Sequence, residues 1–490
     1  MHLSAKALKT INLSYLLLSV FVFGYVLLRA MISDITYDEV WTIFDFIPNS
    51  YFHILNFTPP DTNNHILNSI SIKFLYSFLP DTVFVARIPN VIALLFYLFF
   101  AVKLCKKFLG GWKGLLLFVA LTLNPYALDY FGLARGYGMM LGMQMAALYH
   151  VFKYFETKQN KHLFYLSLFS LLMILANFSS LYFYLGWLGV FFISLWKDRE
   201  YVFTRTAIVM LFTILITVII WEPIRKLIEI NGFYVGGTTG FYEDTIWSLV
   251  RYSIYEMERS DWNQLLSSAL FTASVVCVLL AFFGEGHKNR FWLSLGILSI
   301  TALATIVQHY VLKGFYLIDR TALFFYPVMI LTLFFAIDRF DMSRLSMTLS
   351  LLIAFLILLN FVLNANTYKS LNWYFDAHTE EMLSYINKVG EKEKRKQKID
   401  YSWPFESSLA YYMKSGKYPF IENARKSYFE VNDSCDFYIY LGGKLDVIPY
   451  APEKQLILND ARRKDKIFEF KKDRVVLFGM ETGARIINPR

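Results

Sequence analysis

From Leu163 to Trp196 the chain carries no charged side chain. A run of that length is too apolar for a water-soluble globule to cover, and it is too long for one helix across a hydrocarbon layer of about 30 Å. It reads as two membrane helices divided at Asn177, Phe178, Ser179 and Ser180. The composition agrees with a bilayer as solvent: 56% of residues are hydrophobic and only 18% are charged, with 47 Phe and 33 Tyr, which excludes an ordinary soluble protein.

Other stretches of spanning length lie near 11–30, 84–104, 114–130, 136–153, 206–222, 263–283, 291–312, 321–337 and 345–364. With 163–178 and 180–196 they make eleven expected transmembrane helices. The segment His65 to Leu79 is short and carries Lys73, and it reads as an interfacial or re-entrant helix. On this topology the N-terminus, 103–113, 153–161, 197–205, 288–290 and 339–344 share one side and hold sixteen Lys and Arg, against ten on the other. The positive-inside rule then puts the N-terminus in the cytoplasm and the C-terminus outside.

These clusters account for the excess of 48 basic over 39 acidic residues, so nucleic acid is not an expected partner. Ile11 to Leu28 follows Lys6 and Lys9 and has no small-residue cleavage site behind it, so a retained signal-anchor is expected. Cys105, Cys277 and Cys435 form neither a disulfide framework nor a metal-binding spacing.

The outward side then holds two long loops, about 31–83 and 223–262, and short turns around Tyr130–Gly136 and Lys313–Arg320. After residue 364 the composition changes, which divides the chain into a transmembrane domain, 1–364, and a soluble extracytoplasmic domain, 365–490. The charge run Glu391 to Lys398 reads as a solvated linker or helix face, or as a membrane-surface contact. A helical stretch from Phe405 to Met413 and apolar runs at Phe437–Leu441, Leu456–Leu458 and Arg474–Phe478 predict a small α/β domain. The expected fold class is an all-α polytopic membrane protein with this α/β domain appended.

Ionisable residues gather on the outward side. Asp38 and Glu39 follow the first span, where a carboxylate near the low-dielectric boundary serves as a base or holds a cation, or else lies solvated in a loop. Thr58 to His65 is polar and turn-rich, with Asp61, Asn64 and His65 either lining a site or forming a helix entry. In the turn Asn124 to Gly138, Asp129 and Arg135 sit at the membrane boundary, as a structural ion pair or facing a cavity. An Arg flanked by glycines suits a phosphate, because the backbone can approach closely. Lys313 and Arg320 flank a further turn, snorkelling to the boundary or holding an anionic headgroup.

Tyr37-Asp38-Glu39, an amphipathic helix ahead of Val85-Ala86-Arg87-Ile88-Pro89, and Ala134-Arg135-Gly136-Tyr137 together resemble the integral-membrane GT-C glycosyltransferases. Within these the chain is most similar to the protein O-mannosyltransferase and aminoarabinose transferase group. The segment Arg320 to Pro327 looks like that group's entry to the tenth span, and the resemblance runs from about residue 10 to 340. It implies an inverting transfer of a sugar from a polyprenyl-phosphate carrier to a protein, lipid or glycan acceptor, on the periplasmic face of a bacterial inner membrane.

By the resemblance Asp38 is the general base with Glu39 beside it. Arg135 and Arg320 neutralise the carrier phosphate as it leaves, and Lys313, His65, Asn64, Arg87, Asp129 and Tyr137 complete the expected substrate-binding set. A divalent cation serves some members, but no ligand set in this sequence claims one. The chain departs from the group in having Asn63-Asn64-His65 where His-Pro-Pro is common, and Gly136-Tyr137-Gly138 where an acid follows the turn. The rival expectation is a transporter or flippase of lipid-linked sugars, which should carry its charges and broken helices near the midplane.

Overall fold

The computed structural model describes residues 4–196, 201–233, 236–255, 261–284, 288–340, 343–426, 435–441, 464–470 and 475–480. They form two compact units, Met1–Met31 with Asp45–Asn366, and Ile32–Phe44 with Thr367–Arg490. The segment bearing Asp38 and Glu39 therefore clusters with the C-terminal residues, a grouping that a linear division at residue 364 does not contain.

The first unit is helical because amides removed from water must pair within their own segment. It begins with α1 (Ala5–Ile32); α2 (Tyr37–Trp41) belongs to the second unit. The short α3 (Tyr51–Leu55) and the eleven-residue α4 (Ile66–Tyr76) precede α5 (Val83–Phe108). Next come α6 (Gly111–Thr122) and α7 (Pro125–Phe131), bent by 64° relative to each other. Asn124 makes that bend by capping α7, its Oδ1 accepting from Ala127 N–H at 3.2 Å, and Pro125 cannot continue the preceding hydrogen-bond ladder.

The helix α8 (Gly136–Thr157) packs on α5 and on α9 (Asn160–Ala176). The uncharged stretch divides where the sequence expects: α9 stops at Ala176, Asn177 accepts from Ser179 N–H at 2.9 Å, and α10 (Leu181–Leu195) follows one tight turn. The remaining helices are α11 (Val202–Glu229), α12 (Trp247–Ser253), α13 (Asp261–Leu280), α14 (Lys288–Leu312), α15 (Phe325–Asp338) and α16 (Ser343–Asn364).

Every expected spanning window coincides with helix, but not with equal strength. Among the described residues six helices are long and apolar enough to cross a membrane alone, namely α1, α5, α10 with its preceding turn, α11, α14 and α16. The bent pair α6–α7 makes a seventh. The others are short, as α9 and α15 are, or apolar over a shorter stretch, as α13 is within Ser267–Phe283, or mixed, as α8 is, with Gln144 and His150 buried among its apolar residues. A helix wrapped by other helices tolerates such residues, because its neighbours and not lipid meet them.

In the second unit α17 (Thr379–Glu393) and α18 (Glu406–Lys414) accompany β1 (Gln397–Tyr401), β2 (Ile421–Lys426), β3 (Phe437–Leu441), β4 (Lys464–Phe470) and β5 (Val475–Met480). The sheet order is β2-β1-β3-β5-β4; β1 runs parallel to β2 and β3, and β5 antiparallel to β3 and β4. The apolar face of α17, with Met382, Leu383 and Ile386 buried, packs towards β1 and β2. The charge run is the end of α17 and the entry to β1: Lys394 closes the helix at φ 54°, and Arg395 makes a two-pronged contact with Asp436 at 2.9 and 3.0 Å. The expected run Leu456–Leu458 lies outside the described residues.

Candidate functional site

Arg135 sits in the extended residue that precedes α8, with only 2% of its surface exposed. Three buried amide contacts fix this turn. Asn68 on α4 donates to Ala134 O at 3.0 Å, Asn90 on α5 donates to Asn68 Oδ1 at 2.8 Å, and Asn90 Oδ1 accepts from Met139 N–H at 2.9 Å. A fully satisfied chain of this kind rigidifies the elements it joins. The flanking glycines have a packing reason. A Cβ on Gly136 would collide with Ala176 O and with His65, and one on Gly138 would lie 2.5 Å from Tyr130 O. Both glycines therefore allow close protein packing at this turn.

His65 precedes α4, which is anchored by Ile66 in a cluster with Phe57 and Leu227. Its ring meets Tyr137 edge-on at 5.1 Å, and Tyr137 meets Tyr130 at 4.9 Å. The row continues through the Tyr130 hydroxyl to that of Tyr126 at 3.1 Å, and through the Tyr126 ring to Tyr252 at 5.1 Å. Arg251 ends it, its guanidinium 4.8 Å from the Tyr252 ring centre.

Arg320 is felt along this row, at His65, Tyr130 and Tyr252. Burial first, then the charges of Arg135 and Arg320, hold the His65 imidazole well below its ordinary pKa, although its contact with the Ala176 backbone opposes them. Its Nε2 has no hydrogen-bond partner among the described residues. Burial pushes the Asp319 carboxyl up, against the opposing pull of Arg320 and Arg251. The structure thus brings His65, Arg135, Tyr137 and Arg320 of the expected set together, and adds Tyr130, Tyr252, Arg251 and Asp319.

The other expected residues hold the frame. Asn64 donates to Ile54 O at 2.9 Å and accepts from Ser69 Oγ at 3.0 Å. Arg87 is fully buried and donates to Ala30 O near the end of α1 at 3.2 Å. Asp129 pairs with Arg29 at 2.7 Å and accepts from the Tyr255 hydroxyl at 2.9 Å. Lys313 is exposed just beyond α14, at φ 57°.

In the second unit Asp38 lies in the first turn of α2 and is half-buried. Glu39 is fully buried, and its Oε2 accepts from the backbone N–H of Thr36 at 2.9 Å and from its hydroxyl at 3.0 Å. This is the reciprocal cap by which Thr and Glu start a helix. Of two adjacent acids, one is committed to folding and the other remains partly accessible.

An apolar cavity of about 490 Å³ lies in the first unit, lined by Phe241, Tyr242, Leu249, Phe271, Tyr326 and Met329 among others. The helix α12 serves both places: Leu249, Val250 and Ser253 line the cavity, while Arg251 and Tyr252 join the charged row. Among the described residues no three His, Cys, Asp or Glu side chains converge to hold a metal ion. The described donor set does not fit the divalent cation of some GT-C enzymes.

No family model and no curated protein matches the chain in sequence. Solved structures do match it. The crystal structure of ArnT from Cupriavidus metallidurans in the apo state aligns over 98% of this chain and 100% of its own, with a TM-score of 0.51 at 10% identity. The same protein bound to undecaprenyl phosphate aligns over 97% and 98% with a TM-score of 0.49 at 9% identity. The apo likeness establishes the fold alone, and it is the fold that the resemblance to the aminoarabinose transferase group implies.

Proposed function

We propose that this chain is an inverting glycosyltransferase that moves a sugar from a polyprenyl-phosphate carrier to an extracytoplasmic protein, lipid or glycan. The observation that carries the reading is the accumulation of Arg135, Arg320 and Arg251 along a row of tyrosines, beside a histidine that burial and two arginines keep neutral. A guanidinium suits a phosphate in particular, and several of them near one buried acid, Asp319, favour an anionic ligand. The adjacent apolar cavity fits the prenyl chain of such a donor. The fold likeness to ArnT supports the same class.

In the proposed reaction the acceptor hydroxyl attacks the anomeric carbon and gives its proton to Asp38. The bond from that carbon to the phosphate oxygen breaks, and the phosphate departs with the electron pair. Arg135 and Arg320 stabilise the charge that develops on it, an electrostatic contribution largest in the transition state. Glu39 shapes the helix that presents Asp38, and His65 and Tyr137 shape the phosphate pocket. No step is routed through a metal. We further propose that α8, α9, α13 and α15 also cross, giving eleven spans, with the N-terminus cytoplasmic and both Asp38 and the C-terminal α/β unit periplasmic.

Mass spectrometry of glycoconjugates and polyprenyl-phosphate sugars in source cells tests the reading. With Asp38→Asn at matched expression, one modification is expected to vanish while its carrier-linked sugar accumulates. A second reading, transport of a lipid-linked sugar, draws on the 64° break between α6 and α7. It gains if Asp38→Asn leaves every glycan unchanged while deletion of the protein removes one.

A further inference from the structure

The segment Ile32–Phe44 is held to the rest of its unit by an exchange of helix caps. Tyr37, the first residue of α2, donates its backbone N–H to Asp376 Oδ2 at 2.8 Å. In return Glu380, in the first turn of α17, donates its backbone N–H to Asp34 Oδ2 at 3.1 Å. Each acid thus satisfies an amide at the start of the other's helix, groups that have no partner within it. The helix α18 adds side-chain contacts: Ser407 Oγ accepts from the Trp41 indole at 3.0 Å, the Tyr411 ring stacks on Phe44 at 6.1 Å, and Lys414 lies 4.3 Å over the same Phe44 ring.

Asp376 is the most constrained member of the exchange. Only 1% of it is exposed, and its Oδ1 has no hydrogen-bond partner among the described residues. Asp34 and Asp38 both act on it electrostatically. Burial, with those two acids adding to it, pushes the Asp376 carboxyl well above the usual carboxylate range, against the opposing hydrogen bond from Tyr37. A five-residue helix has almost no stability of its own. The direction in which α2 presents Asp38 therefore depends on the groups that cap and flank it.

We propose that Asp376 is a positioning residue for Asp38, and that the C-terminal unit serves transfer by holding α2 through the Asp34 and Asp376 caps. The proposal rests on the reading of Asp38 as the base. It gives the C-terminal unit a task within the reaction, independent of any recognition of the acceptor.

The test compares Asp376→Ala, Asp376→Asn, Asp34→Ala and Asp38→Asn in full-length protein. Transfer is read by mass spectrometry in source cells lacking the native protein, and binding of undecaprenyl phosphate is read on the purified variants. Asp376→Ala is expected to lower transfer roughly tenfold to a hundredfold, the scale of a misplaced reacting group, with binding of the carrier unchanged. Asp376→Asn, whose amide oxygen still accepts from Tyr37, is expected to restore most of the transfer. Asp34→Ala should act in the same direction if Asp376→Ala fails to fold.

A second readout does not depend on Asp38 chemistry. In a chain whose three native cysteines are replaced by Ser, Asp38→Cys should react faster with a membrane-impermeant maleimide when Asp376 is Ala, and not when it is Asn. Full transfer with Asp376→Ala while Asp38→Asn is inactive overturns the positioning role alone. Full transfer with Asp38→Asn overturns the base reading. If Asp376→Asn is as inactive as Asp376→Ala yet binds the carrier, the carboxyl acts by its proton and not by position. Equal maleimide rates in all backgrounds refute the holding itself.

Discussion

Two polar clusters inside the helical unit are built differently. At Asp129 one acid meets one base, Arg29 at 2.7 Å, and Tyr25, Tyr255 and Asn366 supply further hydrogen bonds. Around the start of α8 several charges share one buried region, with Arg135 and Arg320 both acting on His65, and Arg251 and Asp319 both acting on Tyr252. The first arrangement is complete in itself and works as a fastener between α1 and α7. The second joins several bases, and it is the place where the proposed carrier phosphate would bind.

The largest effect that separates them is on stability. Asp129→Ala leaves Arg29 buried without its acid, so it is expected to cost about 3–5 kcal/mol, read as a loss of thermal stability in detergent. The double change Arg29→Met with Asp129→Leu should recover most of that loss. If it does not, the pair has a role beyond fastening. Arg320→Ala should do the reverse, lowering transfer by roughly 10²–10³-fold while thermal unfolding stays near that of the unmodified protein. An Arg320→Ala protein that unfolds early and still transfers would erase the distinction.

Two smaller effects sharpen it. Gly136→Ala forces a methyl group into Ala176 O and His65, and it should destabilise the protein by about 1–3 kcal/mol and weaken carrier binding with it. His65 has the sign of a group whose folded pKa is depressed. The unfolded chain takes up its proton near pH 6.5, before the folded one does, so stability is full above that pH and declines as pH falls below it. His65→Gln should flatten this decline in acid unfolding measurements and leave stability at pH 8 little changed. A variant that declines as steeply as the parent would show that another group sets the acid limb.

Much of this contrast was legible in the sequence, and the rest failed for identifiable reasons. Arg135, Arg320, His65 and Tyr137 stood out because charge or a turn beside an apolar helix is conspicuous. Asn177 was legible as a break for the same reason. Arg251 is not conspicuous in the sequence, because 223–262 offers no periodicity or motif to place its neighbour Tyr252 against Tyr126 on α7. Asn68 and Asn90 are inconspicuous as uncharged residues within apolar segments, though buried amides between membrane helices are a signal of interhelical contact. The glycines beside Arg135 stand out in the sequence, but backbone permissiveness alone does not say that His65, Ala176 and Tyr130 pack against them.

Asp38 shows the same limit from the other side. Its place after the first span is local information, and so is the reciprocal cap between Thr36 and Glu39. Its membership in the C-terminal unit is not, since it depends on contacts such as Tyr37 with Asp376 that lie 339 positions apart. No pattern of spacing spans such an interval, and only the folded chain brings the two ends of it together.

That interval also sets an order in time. A ribosome completes the helix that bears Asp38 early, then makes all of the later membrane helices before Asp376, Ser407 and Tyr411 exist to receive it. Through most of synthesis the short helix has no caps from its partner, and closing so long a loop is among the slower events available to a chain. A nascent protein can therefore be fully inserted while its candidate base is still unfixed. The final quarter of translation supplies these caps, so under the proposed positioning role a prematurely terminated chain would insert with α2 uncapped.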